Sequence, residues 1–481
     1  MAKTFTLRPP VPAQPEERSY WIQTTAPEGP VITAPLRADI RTPIAIIGGG
    51  FTGMWTAWRI LEQNPDQRIV ILEADFCGSG ASGRNGGQVH SWFGSLGYLR
   101  ALVGKKEAIH LARETSHAIT ELKKLQDDGT FEMDLRLDGW ILGASSKAQE
   151  GAWLESMEQL AEHGETPYRE LDAEELKART GSTSAYQGIL EENAGSMNPY
   201  KLARSMRQRL IERGVEIYED TPVLTMCGGS PVTLTTPGGK VTADKVLVAT
   251  NAWANSIPEM NRYMYAVDGQ VTVTEPIPEK LDELGWKNGE AIADGQMQVL
   301  YFQRTKDGRI LLGQGSGLPI YKDRLTARNN RNPKLVPPVI KELHRMYPTL
   351  KDVKIEYEWL GPIDIVATHI PMMGTLKNEP NIFYCVGWSG TALAQIPVIS
   401  RILASHLLGT NDEWSRSKLF NPAHRTRIFP EPLRFIGATL VRLAVIRRVR
   451  KEIQNKKVDP ITRFLVSLMP RYRAPGDVAP D

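Results

Sequence analysis

The chain is short of cysteine. Its three thiols, Cys77, Cys227 and Cys385, lie far apart. They form no CxxC pair, no zinc spacing and no disulfide framework, so neither a metal site nor a cross-linked scaffold is expected, and a reducing compartment fits. Nowhere do about 18 apolar residues follow one another, which excludes a helix that crosses a membrane. The opening residues, MAKTFTLRPPVPAQPEERSYWIQ, lack the apolar core of a secretory signal, so a cytoplasmic protein is expected. The 41 glycines and 33 prolines follow no period, and no internal repeat is found. With 41% hydrophobic and 23% charged residues, the 481-residue chain reads as two or three globular domains or one interlocked unit.

The net charge of +3 hides an asymmetry. Residues 425–481 hold thirteen Lys/Arg and five Asp/Glu, a net of +8, which leaves the rest at −5. An acidic body with a basic tail points to an anionic surface as partner of the tail. Within the tail, PLRFIGATLVRLAVIRRVR (432–450) and ITRFLVSLM (461–469) mix Leu, Ile and Phe with arginine, including Arg442, Arg447, Arg448, Arg450 and Arg463, with Arg471 and Arg473 beyond. The arginines do not fall in one sector of a helical wheel. Helices of this composition can nevertheless lie in a membrane interface, so residues 425–481 are expected to dock on an anionic bilayer, peripheral to the inner face of the cytoplasmic membrane. A helix packed on the body and a dimer interface are the competing readings.

Residues 1–42 are Pro-rich and read as an extended arm, with Ser19, Tyr20 and Trp21 as an aromatic spot. The run TPIAII at 42–47 suits a buried parallel strand, 53–63 a helix, and RIVILE at 68–73 a second buried strand. Helices are expected at 107–124, 149–163, 199–213 and 392–408. Strands are expected at 133–143, 215–219, 232–236, 245–250, 267–275, 297–303, 309–313 and 381–386.

Between the first strand and helix stands GGGFTG, a G-x-G-x-x-G turn. Gly48 permits the tight turn, Gly50 lets backbone approach a pyrophosphate, and Gly53 lets the helix pack on the sheet. Phe51 and Thr52 begin the helix whose free N–H groups suit phosphate. Glu73, followed by Ala74, ends the next strand about 20 residues on, where a ribose hydroxyl acceptor is expected. An acid there argues against a 2′-phosphate. The loop GSGASGRNGGQ at 78–88 has five glycines in eleven positions, so it is neither helix interior nor packed strand. Such a loop can lay backbone against a flat ring, and Ser82, Arg84, Asn85, Gly86, Gly87 and Gln88 bring donors suited to flavin heteroatoms and phosphate.

GGGFTG, GSGASGRNGGQ, ATNAW (249–253) and GWSGTALAQIP (387–397), in this order, resemble the D-amino-acid-oxidase superfamily of FAD-dependent amine oxidoreductases, whose members include glycine and sarcosine oxidases. SGRNGGQ, WLGPIDIVATHIPMMG (359–374) and the Pro-rich start with its Ser-Tyr-Trp look most like the gamma-glutamylputrescine oxidase branch. The resemblance runs from about residue 15 to residue 410. It implies an α/β fold in which a Rossmann-type FAD-binding domain (43–130, 196–260 and 376–410) is interleaved with a substrate domain on a mixed antiparallel sheet (131–195 and 261–375); beyond the resemblance, composition gives a basic helical extension at 411–481. The resemblance implies further that Val223 backbone meets adenine and that Ala249 and Thr250 lie beside the pyrophosphate. Gly387, Ser389, Gly390 and Thr391 would form a second glycine turn at the flavin's pyrimidine end.

The reaction implied is hydride transfer from a C–H beside an amine nitrogen to flavin N5, with hydrolysis of the resulting imine. O2 or a quinone takes the electrons. Amino-acid members place an Arg in the segment equivalent to 359–374. Here GPID stands instead, with no Arg between 359 and 374, so a small-molecule amine is expected over a simple α-amino acid. His90, Tyr301 and His369 are the substrate-side candidates; Trp92 and Phe302 are expected to line the same pocket, and Asp364 could meet a cationic amine or serve as a turn residue. Cys385, nearest to the position used for covalent flavin in some relatives, lies in an apolar strand, so FAD is expected to be noncovalent. Rival readings are an amino-acid oxidase that recruits Arg304 or another Arg, a tRNA-modifying member of the superfamily, and a silent flavin-fold scaffold. No nucleic-acid partner is expected, since the body shows no basic stripe interleaved with aromatics.

Overall fold

The apolar run at 44–47 needs cover on both faces, and the fold supplies it. The computed structural model of the chain describes residues 3–184, 186–422 and 425–469, with Ser316 described by its backbone alone. The strand Ile40–Ile47 pairs in parallel with Gly239–Val248 on one side and with Ile69–Leu72 on the other. Glu216–Tyr218 extends this row beyond Ile69–Leu72, and Glu379–Val386 pairs in parallel with the end of Gly239–Val248. Ile44 and Ile46 face the helices Phe51–Gln63, Pro199–Glu212 and Ile396–Leu408 through Met54, Leu202 and Ile399. Ala45 and Ile47, one residue out of phase, pack in a second cluster with Met226, Leu234 and Met372.

A second sheet of eight strands, mostly antiparallel, runs in the order Ile355–Val366, Met264–Thr274, Ile310–Pro319, Leu300–Arg304, Ala291–Asp294, Trp140–Gly143, Gly188–Glu191, Tyr168–Leu171. Its far face buries Ile292, Phe302 and Leu312 against Trp286, Tyr347 and the helix Val336–Met346. The strand Met372–Leu376 returns to the first sheet by pairing with Glu379–Val386, a few residues before the chain position expected for the crossing.

Several expected elements differ in their bounds from the structure, and three of them do so for a local reason. Only Trp140–Gly143 is strand in the 133–143 run, with Arg136 held by an isolated bridge to Ser196. The helix expected at 149–163 is Leu154–Ala161, because Gly151 takes φ 70° and breaks the turn before it. The helix expected at 392–408 begins at Ile396, since Pro397 is tolerated only in a first turn.

The arm is part of the first sheet: Thr4–Thr6 pairs with Thr225–Cys227. Further along, Ser19 Oγ donates to Gly83 O at 2.5 Å and Trp21 Nε1 to Asn85 O at 2.9 Å. The arm therefore pins the glycine loop from outside. A buried ion pair fastens the same region. Arg207 donates to Glu219 at 2.7–3.0 Å, and Glu219 also accepts from Thr33 N and Cys77 N. Arm, loop and helix Pro199–Glu212 thus share one carboxylate with no solvent exposure. Arg207→Leu strands that charge and is expected to lower stability by about 3 kcal/mol, read as a fall in melting temperature of the full chain.

After Leu419 the chain crosses to the second sheet and ends in a hairpin of helices, Leu433–Ile453 and Pro460–Ser467. Ala444, Val445, Val449 and Val466 form its small core, with Met297 of the body packed against them. Arg471 and Arg473 lie outside the described residues.

Candidate active site

Between the two sheets lies a cavity of about 1100 Å³, above the range of about 300–1000 Å³ common for a single small ligand. The nucleotide candidates Gly48, Gly50, Phe51, Thr52, Glu73, Ala74, Val223, Ala249 and Thr250 line one end. Gly48 has φ 112°, and a Cβ there would stand 2.5 Å from the Ala249 carbonyl oxygen, so turn and strand end meet backbone to backbone. Gly53 does not line the cavity. Its missing Cβ leaves room for Gly48 O, 2.2 Å away, which is the close helix packing expected of it. Gly50 caps the helix with no side-chain cap bond, and a Cβ there would meet only Ser82 Oγ at 3.0 Å. First-turn N–H groups on bare backbone, at the edge of a cavity, make a cradle for phosphate. Glu73 is buried and accepts from Gly49 N and Asp75 N at 2.7 and 3.0 Å; burial pushes its pKa up to about 7. The arm residues Leu7, Pro9, Pro10 and Val11 also line the cavity. Sequence reading missed them, because a Pro-rich arm shows no motif that says where it docks.

The glycine loop enters the middle of the cavity through Ser82, Arg84, Asn85, Gly86, Gly87 and Gln88. The side-chain donors expected for flavin are turned to the protein instead. Arg84 donates to Ser79 O at 2.7 Å and Asn330 Oδ1 at 2.8 Å, and burial lowers its pKa to about 10. Asn85 Nδ2 bonds Ala81 O and Ser82 O while its Oδ1 accepts from Gly87 N. Gln88 donates to Ile292 O and accepts from Trp140 Nε1. What the loop presents is backbone, with its side chains holding it in shape. Gly86 and Gly313 bracket the Tyr301 ring; a Cβ on either would fall 2.5 and 2.1 Å from it.

At the second glycine turn, Ser389, Gly390 and Thr391 line the cavity and Gly387 does not. Gly387 N donates to Asp364 Oδ2 at 2.5 Å, and Trp388 N and Asn251 Nδ2 donate to Oδ1 at 3.1 and 3.0 Å. Asp364 is fully buried and desolvation raises its pKa to about 7. It ties the strand Ile355–Val366 to the turn, so it positions the turn while facing the cavity.

Alternate residues of Met264–Thr274 (Tyr265, Val267, Gly269 and Val271) face the cavity, as do Val299 and Tyr301. Phe302, next to Tyr301, points to the opposite face, which corrects the expectation that both line the pocket. Trp92 is core, with its backbone N–H on Thr115 Oγ1. Arg304 is not at the cavity; it bonds Asp282 and the Trp286 carbonyl. His90 and His369 both line it. His90 stacks on Trp140 with ring centroids 4.9 Å apart, and burial lowers its pKa. Burial lowers the His369 pKa to about 4. Both imidazoles are therefore neutral around pH 7, and burial raises the Tyr301 phenol. None of the three cysteines lines the cavity. The outer wall comes from the tail: Leu433, Leu440, Val441, Arg442, Leu465 and Leu468. No motif foretold them, since this contact is made across the whole length of the chain.

The family described as FAD dependent oxidoreductase matches residues 43–406. Gamma-glutamylputrescine oxidoreductase of Escherichia coli is 29% identical over 398 residues, covering 81% of this chain and 89% of that protein. Among solved structures, glycine oxidase from Geobacillus kaustophilus superposes with a TM-score of 0.65 at 18% identity, over 80% of this chain and all of that one. L-proline dehydrogenase from P. horikoshii gives 0.64 at 19% identity, over 79% and 95%. The cradle fits the cofactor: Gly48, Gly50, Phe51 and Thr52 suit its pyrophosphate, and Glu73 its ribose. Because Gly50 has φ −84°, which any residue adopts, Gly50→Val is expected to fold and yet weaken FAD uptake by about a hundredfold, read by visible absorbance against an unchanged melting curve of the unloaded protein. Fold, cradle and family match agree, and the chain belongs to the FAD-dependent oxidoreductase family of D-amino-acid-oxidase type.

Proposed function

We propose that the chain oxidises the C–N bond of an amine that carries a polar or acylated tail, as its gamma-glutamylputrescine relative's name suggests, with FAD held noncovalently. The carrying observation is the strand Ile355–Val366: it faces the cavity through Gly361, Pro362, Ile363 and Asp364 and presents no basic side chain there. An α-carboxylate beside the reacting carbon has no partner on that wall, whereas an amine meets the buried carboxyl of Asp364 and the phenol of Tyr301. Bound FAD supplies the hydride acceptor for the C–H next to nitrogen. The protein's part is positional. Neutral His90 and His369, with Trp140, Tyr98 and Tyr301, keep water away from an unprotonated amine nitrogen and add no positive charge beside it. The absence of cysteine from the cavity wall supports noncovalent attachment. Electrons leave to O2 or a quinone, and the protein works in the cytoplasm, peripheral to the membrane.

Arg442 bears on the tail of the substrate. It lines the cavity, its Nε is buried without a hydrogen-bond partner, and it makes no ion pair among the described residues. Arg434, one stretch earlier, is consumed by Asp323 and Glu431. Arg442 belongs to the tail helix Leu433–Ile453 and not to the strand Ile355–Val366, so it suits a carboxylate at the far end of an amine rather than one beside the reacting carbon. Arg442→Ala is expected to raise KM about tenfold for an amine with a distal carboxylate and to leave KM for a plain diamine unchanged. Equal changes for both substrates refute this assignment.

The pH profile tests the neutral pocket. Flavin reduction is expected to rise with pH as the substrate's own ammonium loses its proton, with a second step at about pH 7 where the buried Asp364 carboxyl ionises. A histidine whose pKa is lowered to about 4 gains charge only below that value, so it adds no step from pH 5 upward. Burial also lowers His90 below the ordinary imidazole value, so it is uncharged around pH 7, and His369→Asn and His90→Asn are each expected to leave the midpoint of anaerobic stopped-flow reduction within about half a unit of the parent. A larger shift makes one of them the base.

A further inference from the structure

Among the described residues, fourteen large apolar side chains stand exposed, and eight of them are in the tail: Phe429, Leu433, Ile436, Leu440, Leu443, Ile461, Phe464 and Leu468, between 48 and 75% exposed. Their spacing is helical. Positions 433, 436, 440 and 443 form one stripe along Leu433–Ile453, and 461, 464 and 468 form another along Pro460–Ser467. The first stripe continues as Arg447 and Arg450, so the helix is apolar outward over its first half and basic over its second. Its inward stripe is apolar too, through Val441, Val445 and Val449. A helix apolar on two faces shows little amphipathic signal, which is why the wheel looked unsorted.

The charges around this face are of one sign. The three acids of the described tail are each taken by cations of the same hairpin: Glu431 by Arg434, Glu452 by Arg448, and Asp459 by Arg447 and Lys451. Arg427, Arg450, Lys456, Lys457 and Arg463 are exposed and make no ion pair among the described residues. An exposed apolar patch rimmed by unpaired cations is complementary to anionic headgroups over acyl chains. A second copy docked tail to tail brings like charges together. No described helix is long and apolar enough to cross a membrane.

Leu433, Leu440 and Leu468 belong both to this exposed face and to the cavity wall. The apolar face is therefore continuous with the mouth of the active-site cavity. We infer that the C-terminal hairpin docks on an anionic bilayer with the cavity mouth facing the lipid, so that a lipid-soluble quinone reaches the active site from the membrane. Two electrons and two protons pass from the reduced flavin to the quinone, leaving oxidised FAD and the quinol. This acceptor step rests on the oxidoreductase reading above; the docking itself does not.

The experiment uses the full-length holoprotein and a variant in which Ile436, Leu443, Ile461 and Phe464, none of which lines the cavity, are replaced by Ser. Flotation with phosphatidylcholine vesicles containing about 30% phosphatidylglycerol is expected to carry the parent, with binding weakened about tenfold in about 0.5 M salt, by omission of the anionic lipid, or in the variant. Flavin absorbance is expected to be equal in both proteins, which separates loss of docking from loss of fold. Equal partition of parent and variant, or indifference to the anionic lipid, overturns the docking. So does a parent that sediments as a dimer which the variant abolishes, because the face then belongs to a second copy. Anaerobic reoxidation of dithionite-reduced protein by quinone in the same vesicles is expected to be about tenfold slower in the variant, with ferricyanide reoxidation unchanged. Equal quinone rates overturn the lipid-facing mouth.

Discussion

Everything in this molecule hangs on a place where no side chain fits. The Gly48 turn and the Ala249 carbonyl approach so closely that a single Cβ, at 2.5 Å, would part them. Gly53 sits as tightly under Gly48 O on the other side. Backbone contact on both sides of the turn locks the central strand, the first helix and the end of Gly239–Val248 into one geometry. That geometry leaves Gly50 and the first-turn N–H groups bare at the floor of the cavity. A phosphate-sized anion is thus met by fixed dipoles that need no rearrangement.

The same economy governs the centre of the cavity. The 78–88 loop uses its polar side chains to brace itself and shows the cavity its backbone. Arg84, Asn85 and Gln88 bond to Ser79, Asn330, Ser82 and Ile292. The arm adds outside support through Ser19 and Trp21. A loop with so many glycines is entropically expensive to order, and these bonds are what offset it. The outcome is a flat, rigid surface opposite Tyr301, with neutral histidines nearby and ionisable carboxyls buried at the ends. Buried groups here favour their uncharged forms, which suits a reaction on a neutral nitrogen.

The tail closes the cavity in an unusual way. Its inner stripe packs on the second helix and on Met297 of the body, while its outer stripe is apolar and unpaired. The wall that shapes the substrate space and the surface that meets the outside are thereby the same two helices. Any partner that covers the outer face sits directly at the entrance, so docking and access are mechanically joined.

The legibility of these features in the sequence followed their range. The glycine turn, the helix after it and Glu73 were readable because each acts over a few residues, where strand pattern, turn chemistry and spacing are local. The glycine loop was legible as a ring-facing segment, but the fate of Arg84 was not: its partner Asn330 is 246 positions away. Tyr301 and Phe302 were indistinguishable as neighbours until the pleat put one in the cavity and the other in the far core. The tail's composition raised the expectation of an anionic partner, yet its two apolar stripes cancelled in any helical average. Only the packing of Val445 and Val449 against Val466 of the second helix and Met297 of the body decided which stripe was left outside. Local chemistry is written in the order of residues. Which face is buried, and which side chain is spent on a distant partner, depends on contacts that exist only after the chain has closed on itself.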